Sequence, residues 1–138
     1  MQRNAGPSTM RVRDFVITDE FQLVAATTSL KEATERLLEM RRGVLLVEDR
    51  EHEVVGVVTE RGLLRHLAAG ERLEAPLDHI MDRHLLHLPS DLGLHEAVQQ
   101  IGERQPSAVI VDASDGSFAG YFSPTDFLEA QRRMRDDI

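Results

Sequence analysis

Apolar residues along the chain fall into two kinds of block. Short continuous runs occupy Val44–Val47, Val54–Val58, Ala108–Val111 and Phe118–Phe122. Runs of this length without polar alternation predict strands buried on both faces, and such strands need helices over their sheet. Longer stretches carry a helical period instead. Leu30, Ala33, Thr34, Leu37, Leu38 and Arg41 recur at i, i+3, i+4, i+7, and Leu94, Ala97, Val98 and Ile101 do the same. Ser29-Leu30-Lys31-Glu32 predicts a capping box at the first helix start. A second helix is expected from Thr59 to about Ala69, where Gly70 stops it, and a last one from Ser123 with Pro124 at N1. Polar turns at Glu48–Glu53 and around Asp115-Gly116 join the paired strands.

The pattern occurs twice. Gly56 and Gly120 interrupt equivalent apolar runs 64 residues apart, and at that offset Leu30 falls on Leu94, Glu32 on Glu96, Ala33 on Ala97 and Leu64 on Leu128. Asp14 falls on Asp78, and no gap is needed between Asp14 and Leu64. The chain therefore divides into two copies of one unit, residues 11–70 and 71–138, behind an unpatterned leader, residues 1–10, expected to be frayed. A unit of about sixty residues is marginal alone, and two packed together bury a better core.

Composition narrows the function classes. With 138 residues, 41% hydrophobic and 29% charged, the chain has an ordinary globular balance. It has no cysteine, which removes disulfides, thiolate metal sites and a cysteine nucleophile. The net charge of −8 argues against a nucleic-acid partner, since duplex binding needs a basic face. No apolar run approaches a membrane span, and Met1–Met10 lacks the apolar core of a signal peptide, so a cytoplasmic location is expected. Residues 1–70 hold 10 Lys+Arg against 11 Asp+Glu, while residues 71–138 hold 6 against 13. Cations for a bound phosphate would come from the first half, and all but Lys31 are arginines.

Gly56-Val57-Val58-Thr59-Glu60-Arg61-Gly62 and Gly120-Tyr121-Phe122-Ser123-Pro124-Thr125-Asp126 sit at the last strand-to-helix turn of each repeat. Each β-α-β-β-α unit with this turn resembles the CBS domain, named after cystathionine β-synthase. The first copy has glycine where the family motif has aspartate; the second keeps both hydroxyl and aspartate. The resemblance covers nearly everything from Val12 to about Met134. It implies an α/β fold of two CBS repeats packed with pseudo-twofold symmetry into one module, often a homodimer. It further implies clefts that bind AMP, ADP, ATP, S-adenosylmethionine or another adenosine compound, and regulation of a partner protein without chemistry of its own.

Ser123 and Thr125 lie at a helix N-terminus, where free N–H groups favour a phosphate, and Asp126 can accept from vicinal ribose hydroxyls. The same tetrapeptide is also a good capping box, with Asp126 at N3. The resemblance implies that the base in this cleft is held by the other unit, near Ile17 and Gln22 and at Arg41-Arg42-Gly43. Arg41 and Arg42 read equally well as a solvated helix C-terminus complementing its dipole. The symmetric cleft has Thr59 and Arg61 on one side and Met81, Leu86, Gln105, Pro106 and Ser107 on the other. There Gly62 removes the ribose carboxylate and is expected to break the helix cap, so one competent and one weak or empty site are expected.

His79, His84 and His87 alternate with leucines and lack the i, i+4 spacing of a zinc protease, so no metal site is expected. No nucleophile-base-orienter set is recognisable, and the expectation is a binding module rather than an enzyme, with no cofactor beyond the adenosine ligand. A ligand-free dimerisation or interaction scaffold is the alternative, favoured by Gly62 and opposed by Asp126.

Overall fold

The computed structural model describes residues 9–15 and 17–136, so residues 1–8 of the expected leader lie outside the described residues. Two three-stranded sheets carry the chain. The first contains β1 (Phe21–Ala25), β2 (Val44–Glu48) and β3 (Val54–Val58), in that order, with α1 (Leu30–Glu39) crossing from β1 to β2 and α2 (Glu60–Ala68) following β3. The second contains β4 (Leu85–Pro89), β5 (Ala108–Asp112) and β6 (Phe118–Tyr121), with α3 (Leu94–Arg104) and α4 (Pro124–Asp136) in the equivalent places. β1 pairs parallel to β2, and β2 antiparallel to β3. The repeat extends to the irregularities: register shifts at Val47/Glu48 and at Val111/Asp112, equivalent positions in the two copies.

The apolar runs are buried as their pattern predicts. Leu45, Leu46 and Val47 in β2, and Ile110 and Val111 in β5, have no solvent exposure. The pattern sets no bounds for the first strand of each repeat, because β1 and β4 have interrupted apolar runs and are only partly buried. α1 starts as expected at Ser29, whose Oγ accepts the Glu32 N–H at 3.1 Å. The reciprocal half of that box is not made. The Glu32 carboxylate instead accepts from the Arg36 guanidinium at 3.0 Å, one helical turn on.

The sequence repeats and the compact units are different divisions of the chain. One unit, here the middle unit, is Glu20–Leu85; the other, the terminal unit, combines the described residues up to Asp19 with those from Leu86 onward. The stretch leading into each repeat thus packs with the other repeat. In the terminal unit the Val12 N–H donates to the Leu92 carbonyl at 3.1 Å and the Leu94 N–H to the Met10 carbonyl at 2.9 Å. Phe15 stands edge-on to Phe122 at 5.5 Å, with the Arg133 guanidinium 5.3 Å above the Phe15 ring. Val12 and Ile17 join Leu88, Leu94, Val111 and Phe122 in one core. In the middle unit Leu77, Ile80 and Met81 join Leu30, Leu45, Val47 and Leu63 in another.

Candidate functional site

The glycines of the repeated turn mark where an entering segment crosses a strand. Ile17 lies against Gly120, and its carbonyl accepts the Tyr121 N–H at 2.7 Å. A Cβ on Gly120 would overlap that carbonyl oxygen and come within 2.7 Å of Ile17 Cγ1. In the middle unit Val57 and Asp82 exchange two backbone hydrogen bonds of 2.9 Å, and a Cβ on Gly56 would overlap the Met81 side chain. Glycine is needed at both positions because the crossing chain occupies the Cβ space.

At the next turn Ser123 and Asp126 form a reciprocal capping box. The Ser123 N–H donates to Asp126 Oδ2 at 3.0 Å, and the Asp126 N–H to Ser123 Oγ at 3.1 Å. Ser123 is the one buried polar residue among the described residues, with 1% exposure. Partial burial pushes the Asp126 carboxyl above the usual carboxylate range, hydrogen bonding from the Ser123 backbone N–H and hydroxyl pulls it back, and the Asp19 charge pushes it further up. Asp19, which sequence reasoning missed, therefore belongs to the surroundings of this carboxylate.

Beside Ser123 the terminal unit holds a cavity of about 150 Å³, lined by Ile101, Pro106, Ser107, Ala108, Val109, Tyr121, Phe122, Ser123, Pro124 and Phe127. That is below the roughly 300 Å³ at which pockets enclose a drug-sized ligand, so it accommodates one moiety rather than a whole nucleotide. The cavity joins Ser107 to Ser123, two residues whose motif positions imply different clefts. Their meeting depends on β5 and β6 being neighbours, which motif spacing does not convey. Gln105, at the α3 C-cap, adopts a left-handed conformation with φ 48° and turns the chain into this wall.

The remaining expected site residues divide between the units. Thr125, exposed on the first turn of α4, and Leu86, buried in the core, belong with Ile17 and Ser123 to the terminal unit. Gln22, Arg41, Arg42, Gly43, Thr59, Arg61 and Met81 belong to the middle unit. Gln22 Oε1 accepts from Arg36 at 3.4 Å, and Arg41, Arg42 and Arg61 are exposed. Gly43 has φ +124°, and a Cβ there would overlap the Glu20 carbonyl oxygen, which accepts the Val44 N–H at 3.0 Å. Its role is therefore to let β2 begin against Glu20. Gly62 does not break its cap: Thr59 Oγ1 accepts the Gly62 N–H at 3.0 Å. A backbone donor suffices for that half of the box, and only the carboxylate half is lost. Among the described residues no cluster of three or more His, Asp or Glu side chains could hold a metal ion.

The model of the CBS domain matches residues 12–69 and again 77–133. The chain belongs to the CBS domain family. Its fold is that of solved CBS domain pairs and related structures. A conserved protein of uncharacterised function from Pyrococcus horikoshii is 26% identical, with a TM-score of 0.74 over 91% of this chain and 95% of that one. The protein CBSX2, solved in complex with AMP, is 23% identical with a TM-score of 0.69, covering 91% of this chain and 98% of its own. A CBS domain pair solved with 5′-methylthioadenosine and S-adenosyl-L-methionine is 18% identical with a TM-score of 0.72, covering 94% and 98%. An uncharacterised protein of Helicobacter pylori is 31% identical over 70 residues, which is 51% of this chain and 21% of that protein's length.

Proposed function

We propose that this chain is a regulatory module that binds an adenosine-containing ligand beside Ser123 and Asp126, performs no chemistry and reports its state to a partner protein. The carrying observation is the Asp126 carboxylate, whose Oδ2 accepts from the N–H of Ser123, a residue that lines a partly apolar cavity. A carboxylate fixed in this way can accept from ribose hydroxyls without losing its cap. The AMP, 5′-methylthioadenosine and S-adenosyl-L-methionine found in proteins of the same fold support the ligand class. The second motif position, with Gly62 in place of aspartate, lacks the ribose acceptor and is read as weak or empty. We further propose that the chain acts as a homodimer in the cytoplasm; among the described residues no helix is long and apolar enough to cross a membrane.

A thermal-shift screen over adenosine, 5′-methylthioadenosine, S-adenosylmethionine, AMP, ADP and ATP tests the reading. A ligand bound only by the native state raises Tm by mass action, by about 2.7 kcal/mol of stability at a hundredfold excess over Kd. At least one compound is expected to raise Tm progressively with its concentration. If none does, the ligand-free scaffold is the better description.

A further inference from the structure

The α4 N-terminus would be the natural place for a ligand phosphate, because the first N–H groups of a helix have no intrahelical acceptor. Here those donors are already engaged. The Ser123 N–H donates to Asp126 Oδ2, and the Asp126 N–H to Ser123 Oγ. Pro124 has no N–H. Only the Thr125 N–H stays open among the first positions.

The cavity beside this helix end is equally unsuited to a phosphate. Its walls include Ile101, Val109, Phe122 and Phe127, its polar side chains are the hydroxyls of Ser107, Ser123 and Tyr121, and none of its described lining residues is cationic. Asp126, bonded to the lining residue Ser123, carries a carboxylate, and the charge of Asp19 acts on it as well. A dianion placed here would lose its hydration without gaining a cation from the lining residues, whereas an uncharged thioether or alkyl group would bury apolar surface, and a sulfonium would meet the Asp126 carboxylate.

Resting on the reading that the site takes an adenosine ligand, we propose that it selects adenosine compounds without phosphate. A neutral or cationic 5′ substituent would be seated against the Ile101–Phe127 wall while Asp126 holds the ribose. Arg41 and Arg42, the cations offered by the sequence, then contribute little to affinity.

Titration calorimetry of the full chain with adenosine, 5′-methylthioadenosine, S-adenosylmethionine, AMP and ATP decides the matter. 5′-Methylthioadenosine or S-adenosylmethionine is expected to bind at least about tenfold more tightly than AMP or ATP. The order is expected to persist in Arg41→Ala/Arg42→Ala. Pro124→Arg, a surface substitution restoring one N–H and adding one cation, is expected to improve AMP several-fold relative to 5′-methylthioadenosine. AMP or ATP binding as tightly as the phosphate-free compounds overturns the selectivity and leaves the adenosine reading standing. So does a loss of AMP affinity confined to the double arginine variant. Absence of binding by all five overturns the adenosine reading itself, and the selectivity with it.

Discussion

The Asp126 carboxylate caps α4 through the Ser123 N–H, and in the proposed function the same carboxylate accepts from a ribose. Its pKa direction separates the two roles. Because burial raises the folded carboxyl above its ordinary value of 3.8, the folded protein holds this proton more tightly than the unfolded chain. Stability contributed by the protonated form is therefore lost as pH rises from near 3.8 through the folded value. Asp126→Asn keeps a cap acceptor and cannot ionise. Its stability relative to the parent is expected to climb over that window and then level off, measured by urea unfolding at stepped pH. Adenosine-ligand affinity is expected to fall about tenfold in the same variant, since hydrogen bonds to charged groups are the stronger ones. Unchanged affinity would assign Asp126 to the cap alone. The pair's geometry was legible in Ser-Pro-Thr-Asp; the neighbouring charge of Asp19 was not, because nothing in the sequence says that residue 19 lies beside residue 126.

At the scale of elements, the decisive contacts are crossings of an entering segment over a strand. Gly120 faces the Ile17 carbonyl, part of the backbone, whereas Gly56 faces the flexible thioether side chain of Met81. Overpacking of this kind costs about 1–3 kcal/mol, and the cost depends on what can yield. Gly120→Ala is expected near or above the top of that range, and Gly56→Ala nearer its lower end, by chemical denaturation. Equal losses would show that the Ile17 segment gives way as easily as a side chain. Strand and helix bounds in the interior of each repeat followed from pattern, because β2, β3, β5 and the amphipathic helices have a burial requirement on known faces. The first strands β1 and β4 did not, since polar residues interrupt their apolar runs and they are only partly buried. The Ser29 box was half right, because a helical neighbour, Arg36, competed for Glu32.

For the whole molecule, the exchange of entering segments means that neither sequence repeat is by itself a folding unit: Val12 belongs to the core around Leu94, and Leu77 to the core around Leu30. The surface also leaves large apolar side chains in water. Leu38 and Leu64, 79% and 59% exposed, flank a groove between α1 and α2, and Leu128, at the repeat position of Leu64, is 66% exposed. If the chain dimerises as proposed, Leu38→Glu/Leu64→Glu is expected to weaken association at least about tenfold and leave ligand binding per chain unchanged, read by sedimentation at several concentrations. A parent chain that sediments as a monomer at high concentration would remove the dimer from the proposal.

The sequence alone determined the duplication, the α/β class, the family and the hydroxyl–aspartate turn, because each is written in local periodicity or in one short stretch. Tertiary structure decided which residues share a unit and what the turn is surrounded by. It placed Ile17 on Gly120, Ser107 beside Ser123, and Asp19 near Asp126, and it revealed that the helix end offered for a phosphate has almost no free donors. The physical reason is the same in each case. Periodicity records which face of an element must be buried, while the identity of the neighbour that buries it depends on contacts between residues far apart in the chain.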